Sequence, residues 1–158
     1  MAALRIGILT CSDTRTAAED TAGAALRDLV EELGWQVVAY RLCPDERDCI
    51  ETTLITMADV EHCDVVFTTG GTGMSPRDVT PEATLAVCDR EVPGIAEAIR
   101  AESLAITKRA MLSRGAAAMR GTTLVVNLPG SEKAVRESFA VVAGQLEHAA
   151  DMMAGLGH

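Results

Sequence analysis

Hydrophobic positions along the chain fall into two patterns that alternate with each other. Short apolar runs end in polar or glycine residues, which is typical of strands that are buried on both faces and deliver loops at their carboxyl ends. Between these runs, apolar residues recur with helical spacing. The strands predicted from the first pattern are Leu4–Cys11, Trp35–Leu42, Asp64–Thr69 and Thr122–Asn127.

The helical pattern is clearest in the segment Asp20–Leu33, where apolar residues lie on one face and Gly34 follows at a natural stop. Threonine and serine before Pro81 and Glu132 predict helix caps, since their hydroxyls accept hydrogen bonds from the first free N–H groups. The further predicted helices are Asp45–Val60, one after the Thr80 cap, Ile95–Ile106, and one from the Ser131 cap to Met153.

Strands that alternate with helices predict an α/β fold, a single domain over residues 1–158. We expect a three-layer sandwich with a mostly parallel central sheet. Ligands of such sheets bind outside the carboxyl ends of the strands. The loops expected to converge there are Ser12–Asp20, Cys43–Asp45, Gly70–Thr80 and Asn127–Ser131.

The charge of the chain narrows the choice of partners. Fourteen lysines and arginines against 23 aspartates and glutamates give a net charge of −9, which repels nucleic acid and anionic membranes. A phosphate-bearing ligand must therefore be held by local donors or by a metal. No apolar run approaches the roughly 20 residues of a membrane span. Residues 1–5 lead directly into a strand pattern without the regions of a signal peptide, so we expect a cytoplasmic protein.

The five cysteines form an odd set without Cys-x-x-Cys spacing. This pattern argues against a disulfide framework and against a zinc site. We expect these residues to act as small buried apolar groups in a reducing compartment.

The most informative motif is Gly70-Gly71-Thr72-Gly73, directly after a predicted strand. Glycines at this place allow backbone N–H groups to approach an anion without interference from a Cβ atom. The motif lacks the Gly-Lys-Ser/Thr of a Walker A loop and the spacing of a dinucleotide-binding turn. Taken alone, it is equally compatible with a plain structural turn.

The longer segment from Gly70 to Thr84 resembles the signature of the molybdopterin adenylyltransferase family. Further landmarks of that family follow in order along the chain: Ser12-Asp13-Thr14, Pro44-Asp45-Glu46, Pro93-Gly94, Met111-Leu112-Ser113-Arg114 and Asn127-Leu128-Pro129-Gly130. The resemblance implies a mostly parallel sheet and a homo-oligomer, either a trimer or a hexamer. It also implies transfer of an adenylyl group from ATP, with Mg²⁺, to molybdopterin.

Transferred residue by residue, the resemblance assigns catalysis and metal binding to Asp45 and Asp78. A hard cation between carboxylates would neutralise the two phosphates that must meet in this reaction. Without the resemblance, each aspartate is equally explained as a helix cap or a solvated loop residue. The resemblance assigns substrate binding to Ser12, Asp20, Gly70, Gly71, Thr72, Gly73, Ser103, Ser113, Asn127, Pro129 and Gly130.

Three questions stay open from the sequence. Arg77 and Arg114 either face phosphate or are solvated surface charges. The segment Thr21–Ala24 departs from the Ser-Gly-Pro that the family usually shows, so the alternative function is a non-catalytic molybdopterin-binding or carrier protein. The small residues of Gly115–Met119 predict a surface for close subunit contact, with a buried turn or strand as the alternative.

Overall fold

A computed structural model describes residues 2–156, and these form one six-stranded sheet with helices on both faces. The strands are β1 (Arg5–Cys11), β2 (Gln36–Cys43), β3 (Val65–Thr69), β4 (Arg90–Glu91), β5 (Ala117–Arg120) and β6 (Thr123–Leu128). Their order across the sheet is β2-β1-β3-β6-β5-β4. The first four in this order are parallel, whereas β5 runs antiparallel to both β6 and β4.

Six α-helices cover the sheet. They are α1 (Thr21–Glu32), α2 (Arg47–Asp59), α3 (Thr80–Val87), α4 (Pro93–Leu104), α5 (Glu132–Val142) and α6 (Leu146–Met153). Short 3₁₀ turns occupy Ala17–Glu19, Lys108–Leu112 and Ala143–Gln145. Within residues 2–156, every helix is too short or too polar to cross a bilayer.

The pleat of the strands divides the buried side chains between two cores. On β1, Ile6 and Ile8 face one core, and Leu9 and Cys11 face the other. The first core lies under α1, α4, α5 and α6, and the second lies under α2 and α3. This arrangement confirms the predicted three-layer α/β sandwich.

The strand order creates a crevice at one edge of the sheet. β1 lies between β2 and β3, and the two connecting helices, α1 and α2, lie on opposite faces. The loops after β1 and β3 therefore leave the sheet side by side and diverge, which is the position where ligands bind in open α/β sheets. The predicted glycine loop begins at this point.

The four predicted strands are confirmed. Of the two short strands at the antiparallel edge, β5 matches only the alternative given for Gly115–Met119, a buried strand, and β4 was not predicted. The prediction that Gly115–Met119 forms a contact surface was wrong, because Ala117 and Ala118 are buried in β5. Alanine carries no β-branch, so this segment gives no strand signal. β4 has two residues, too few for a pattern.

Three helix boundaries also differ from the prediction. Thr80 does not cap α3: it is the first helical residue, and its side chain is turned inward and buried. α2 begins at Arg47, so Asp45 lies in the preceding turn. The predicted final helix is interrupted by a 3₁₀ turn at Gly144, where glycine lowers helix propensity. Its cap is confirmed, since the Ser131 hydroxyl accepts a hydrogen bond from the Ala134 N–H at 3.2 Å.

Aromatic packing holds α5 on the sheet, and it gives a direct test of the fold. The Phe139 ring lies 5.5 Å from the Phe67 ring and 6.2 Å from the Trp35 ring, measured between centroids. We expect Phe139→Ala to lower the free energy of unfolding by about 3–5 kcal/mol in chemical denaturation, because it leaves a cavity in the core. Leu85→Ala, at a position 43% exposed on α3, should change it by only about 0.5 kcal/mol. Equal losses for the two variants would contradict this account of the core.

Candidate active site

The chain turns sharply where β3 ends, and the turn depends on two glycines with left-handed backbone conformation. The φ angles are +87° at Gly70 and +69° at Gly71. A Cβ atom on Gly70 would collide with the carbonyl oxygen of Cys11, and one on Gly71 would collide with the Thr80 hydroxyl. Only glycine avoids both the backbone strain and the collision, so the ends of β1, β3 and the start of α3 meet at one point.

The glycine loop leaves backbone donors free. Among the described residues, the N–H groups of Gly71, Thr72 and Gly73 donate no hydrogen bond. Consecutive free N–H groups after left-handed residues form a concavity that attracts anions. The loop therefore has the donors that the sequence analysis predicted for a phosphate-bearing ligand.

Arg114 fixes the far side of this loop. Its guanidinium donates to the carbonyl oxygens of Gly73 at 2.7 Å and Asp78 at 2.8 Å, and to the Glu82 carboxylate at 2.6 Å. Its backbone N–H donates to the Thr72 carbonyl at 2.8 Å. The Arg114 side chain is 39% exposed, but its donors are used to brace the loop, so phosphate binding is not needed to explain its position.

Asp45 follows shortly after the end of β2 and lies against the glycine turn. Its Oδ1 atom is buried, has no hydrogen-bond partner, and lies 3.2 Å from the position that a Cβ on Gly71 would take. Burial, followed by the nearby negative charge of Asp13, raises the pKa of the Asp45 carboxyl above its usual value. An orphaned carboxylate oxygen in such a place lacks the positive partner that an ionised group requires.

A salt-bridge cluster holds the backbone beside Asp45. The Arg77 guanidinium donates to the Asp13 carboxylate at 3.0 and 3.1 Å and to the Glu46 carboxylate at 2.9 Å. Asp13 in turn accepts from the Asp45 N–H at 2.9 Å, and the Arg77 hydrogen bond lowers the pKa of Asp13. Arg77 therefore joins two loops, and phosphate binding is not needed to explain its position.

Asp78 lies against the glycine loop at Gly73. Its Oδ2 atom accepts a hydrogen bond from the Ser75 N–H at 3.0 Å and lies 2.8 Å from the position of a Cβ on Gly73. Its charge contributes to the raised pKa of Asp45. The two aspartates that the resemblance singled out thus both lie against one short loop.

These two carboxylates fit a hard divalent cation. The free Oδ1 of Asp45 offers an oxygen ligand of the kind that Mg²⁺ prefers. Within residues 2–156, no cluster of three or more histidine, cysteine, aspartate or glutamate side chains forms a complete metal cage. Two carboxylates are compatible with Mg²⁺, which is usually bound by one or two carboxylates together with substrate phosphates and water.

A pocket of about 290 Å³ opens beside Thr72 and Gly73, between the glycine loop and α4. Six of the predicted substrate-binding residues line it: Thr72, Gly73, Ser103, Ser113, Asn127 and Pro129. Asp45 and Asp78 do not line the pocket. They lie against the glycine loop, at Gly71 and Gly73 respectively.

Two arginines in the pocket wall were missed by the sequence analysis. Arg100 and Arg109 both line it, and Arg100 also donates to the carbonyls of Ser113 at 3.1 Å and Gly115 at 3.2 Å. The helical spacing could have predicted Arg100, because Ala96, Arg100 and the predicted site residue Ser103 lie on one helix face. These arginines place positive charge beside an anion site in an acidic protein.

Asn127 forms the floor of the pocket and is almost fully buried. Its Oδ1 accepts from the Ala116 N–H at 3.1 Å, and its Nδ2 donates to the hydroxyls of Thr68 at 3.0 Å and Thr84 at 2.9 Å. Both amide hydrogens are therefore used within the protein. Asn127 joins β6 to β3, α3 and the residue before β5 beneath the pocket, and direct substrate contact stays a prediction.

The residues of the first loop lie outside the pocket. The Ser12 hydroxyl accepts from the Thr14 and Arg15 N–H groups at 3.3 and 3.2 Å. Arg15 donates to the Gly130 carbonyl at 2.8 Å, and Gly130 packs against the Cα atom of Gly70. The predicted Ser12 and Gly130 therefore position the edge of the glycine turn.

Asp20 has a different place from the one expected. Its carboxylate is 2% exposed, accepts from the Thr10 hydroxyl at 2.6 Å and the Tyr40 hydroxyl, and caps α1 by accepting from the Gly23 N–H at 3.0 Å. The sequence predicted that Asp20 binds substrate. The structure instead buries its carboxylate, and the hydrogen bonds of that carboxylate stabilise the fold.

A doubly wound α/β domain with an anion-binding glycine turn beside two carboxylates is a binding domain for small phosphate-bearing ligands. Comparison with known proteins gives the family. The model described as "Probable molybdopterin binding domain" matches residues 7–148, and the chain belongs to this family.

Individual relatives agree with this assignment. The molybdopterin adenylyltransferase of Helicobacter pylori strain J99 is 40% identical over 98% of this chain and 90% of that protein. The molybdenum cofactor synthesis protein cinnamon of Drosophila melanogaster is 43% identical over 97% of this chain, which spans only 26% of the fly protein's length. The crystal structure of the molybdopterin biosynthesis enzyme MoaB from Thermus thermophilus is 46% identical, with a TM-score of 0.88 over 96% of this chain and 97% of that one.

The glycine turn can be tested without an activity assay. We expect Gly71→Ala to lower the free energy of unfolding by about 1–3 kcal/mol, because alanine at a φ of +69° is strained and its Cβ meets the buried Thr80 side chain. Gly94→Ala is the matched control: its Cβ would meet no atom within 4 Å, and alanine favours the helix. Denaturation curves for both variants decide the matter, and a loss in Gly94→Ala alone would refute the proposed constraint.

Proposed function

We propose that this protein is a molybdopterin adenylyltransferase, which transfers an adenylyl group from ATP to molybdopterin in molybdenum-cofactor biosynthesis. The observation that carries the proposal is the pair of aspartates, Asp45 and Asp78, that flank a glycine loop with three free N–H groups. The relatives named as molybdopterin adenylyltransferases, similar over nearly the whole chain, support it.

The reaction brings two phosphates together. An oxygen of the molybdopterin phosphate attacks the α-phosphorus of ATP, the bond to the bridging oxygen breaks, and pyrophosphate leaves. The N–H groups of Gly71, Thr72 and Gly73 are suited to bind phosphate oxygens, and Arg114 keeps that loop rigid. Molybdopterin would occupy the pocket next to Thr72, with Arg100 and Arg109 near its phosphate.

Asp45 and Asp78 would hold Mg²⁺, which neutralises the phosphates and orients the displacement when bound. The buried, unpartnered Oδ1 of Asp45 supports this role, because a cation would give it the partner that the protein does not supply. We propose ATP with Mg²⁺ as co-substrate, and the cytoplasm as the location, in keeping with five free cysteines.

The alternative of a non-catalytic carrier loses its main support. Thr21–Ala24, the segment that departs from the family pattern, forms the first turn of α1. Its Gly23 N–H donates to Asp20, and a Cβ at Gly23 would collide with that carboxylate. The local sequence is thus accounted for by helix capping, and it gives no reason to expect loss of turnover.

Conservative amide variants test the two aspartates. We expect Asp45→Asn and Asp78→Asn each to reduce the turnover of ATP and molybdopterin by about 100-fold or more, since each loses a charge that stabilises the transition state. Asparagine at position 78 can still accept the Ser75 N–H hydrogen bond, so the loop is preserved. Asp48 lies close to Asp45 in the sequence and is exposed in the first turn of α2, so Asp48→Asn should keep normal turnover. Turnover close to that of wild type in both site variants would show that the two aspartates have structural roles only.

The stability of Asp45→Asn should move in the opposite direction from its activity. The pKa of Asp45 is raised in the folded state, so this group stabilises the fold below its unfolded-state pKa, and that contribution is lost as the pH rises through the folded-state pKa. At neutral pH the variant removes a poorly solvated charge, and its melting temperature should equal or exceed that of wild type. Melting curves at pH 4 and pH 7 would show the gain only at the higher pH. A lower melting temperature at pH 7 would contradict this.

If both aspartates bind one ion, their effects on rate are not independent. The double variant Asp45→Asn/Asp78→Asn should be little slower than the slower single variant, because two ligands of one metal act as a unit. Rate constants for the four proteins of this cycle, measured at saturating ATP, give the comparison. Losses that multiply would show that the two residues act at separate steps.

We also propose a closed homo-oligomer, a trimer or a hexamer. Gly115–Met119 does not provide the contact surface, because Ala116, Ala117 and Ala118 are buried. A different feature supports assembly: the segment after α4 exposes Ile106, Met111 and Leu112 at 54%, 61% and 52% of their surface. Apolar side chains grouped on a surface in this way are typical of a contact site.

An obligate assembly makes stability depend on protein concentration. We expect the melting temperature to rise with concentration, because association stabilises only the folded chain. Light scattering coupled to size exclusion should give three or six times the chain mass of 16.6 kDa. A mass of one chain throughout a dilution series would rule out the assembly.

A further inference from the structure

Two of the five cysteines face each other at the base of the segment that carries Asp45. Cys43 is the last residue of β2, and Cys49 lies in α2 shortly after its start. Their sulfur atoms are 3.0 Å apart, with the Cys49 thiol donating to Cys43. A disulfide needs a sulfur–sulfur distance of about 2.05 Å, so the two thiols are about 1 Å from bonding distance.

The surroundings give the two sulfurs different access to solvent. Cys43 is buried, at 3% exposure, and its Sγ lies 3.2 Å from the Thr53 hydroxyl. Cys49 is half-buried. Its thiol is therefore the one of the two that a small reagent can reach. The Cys43 thiol also donates to the Cys49 carbonyl at 3.7 Å, so its contacts with Cys49 and Thr53 join the end of β2 to α2.

We propose that Cys43 and Cys49 form a redox-sensitive pair that closes into a disulfide when the protein meets a peroxide. The Cys49 sulfur attacks one peroxide oxygen, the O–O bond breaks, and the leaving oxygen departs as water, which gives a sulfenic acid. The Cys43 sulfur then attacks the Cys49 sulfur, the S–O bond breaks, and the oxygen leaves as a second water with the Cys43 proton. In total, the two thiols lose two electrons and the peroxide gains two.

The pair encloses the turn that positions Asp45. Pro44, Asp45 and Glu46 lie between the two cysteines, and the Asp45 N–H and Oδ1 are placed by contacts with Asp13 and Gly71. Moving Cys43 and Cys49 together by about 1 Å pulls on both ends of this turn. The disulfide should therefore displace Asp45 and suppress adenylyl transfer, a consequence that rests on the proposed function.

Thiol counting tests the bond itself. After brief treatment with hydrogen peroxide and removal of the excess, the unfolded wild-type protein should retain three of its five thiols, and peptide mapping should join Cys43 to Cys49. Dithiothreitol should restore all five. Cys49→Ser should retain its four remaining thiols under the same treatment, whereas Cys88→Ser, at another half-buried cysteine, should still lose two. Five thiols in treated wild type, or a bond to another cysteine, would overturn the proposal.

Activity is measured separately on the same samples. Oxidised wild type and oxidised Cys88→Ser should lose at least about 10-fold in turnover and recover it with dithiothreitol, whereas Cys49→Ser should keep the turnover of reduced wild type. A mapped disulfide with unchanged turnover would overturn the link to Asp45. Reduced protein without any adenylyl transfer would instead refute the proposed function, and the thiol counts would still decide whether the pair exists.

Discussion

The site depends on the close approach of three backbone segments at Gly70 and Gly71. The carbonyl at the end of β1 occupies the space where a side chain on Gly70 would lie, and Thr80 from α3 occupies the space next to Gly71. Because the two glycines are left-handed, the chain leaves β3 with its next N–H groups turned outward. The same turn brings Asp45 and Asp78 to the loop and places Thr72 in the pocket wall. The positions of donors, carboxylates and pocket therefore follow from one packing constraint.

This constraint explains how an acidic protein can bind anions. A net charge of −9 gives no general attraction for phosphate, so attraction must come from a few fixed groups. Arg77 and Arg114 do not supply it directly, because their donors hold the loops that surround the aspartates. The remaining sources are the free N–H groups of the glycine loop and the pocket arginines Arg100 and Arg109. Such a site favours ligands that fit all of these groups over anions in general.

The sequence predicted the layers and the parallel strands because both leave periodic patterns. The glycine loop was located by its motif at a strand end, and the resemblance to a known family pointed to the two aspartates and to the six residues that line the pocket. The sequence failed where the determining contact is distant in the chain. Nothing near Asp20 indicates that Thr10 and Tyr40 will enclose its carboxylate, and nothing near Asn127 indicates the three partners that occupy its amide. Alanine-rich β5 was predicted only as an alternative, for a different reason, since its place in the sheet comes from tertiary packing and not from propensity.

Two of the three buried side-chain oxygens without a hydrogen-bond partner in residues 2–156 lie at the glycine turn. Asp45 Oδ1 and the Thr80 hydroxyl both lie against Gly71, where the backbone is strained for any other residue, and the third is the Ser138 hydroxyl in α5. Most buried polar groups in a folded protein are paired, so two unpaired ones at the same turn need a cause. A ligand or ion that supplies the missing partner is such a cause, and it would stabilise the folded chain when it binds. The Cys43–Cys49 pair lies at the base of this same turn. The proposed disulfide would act on a carboxylate whose Oδ1 has no hydrogen-bond partner among the described residues.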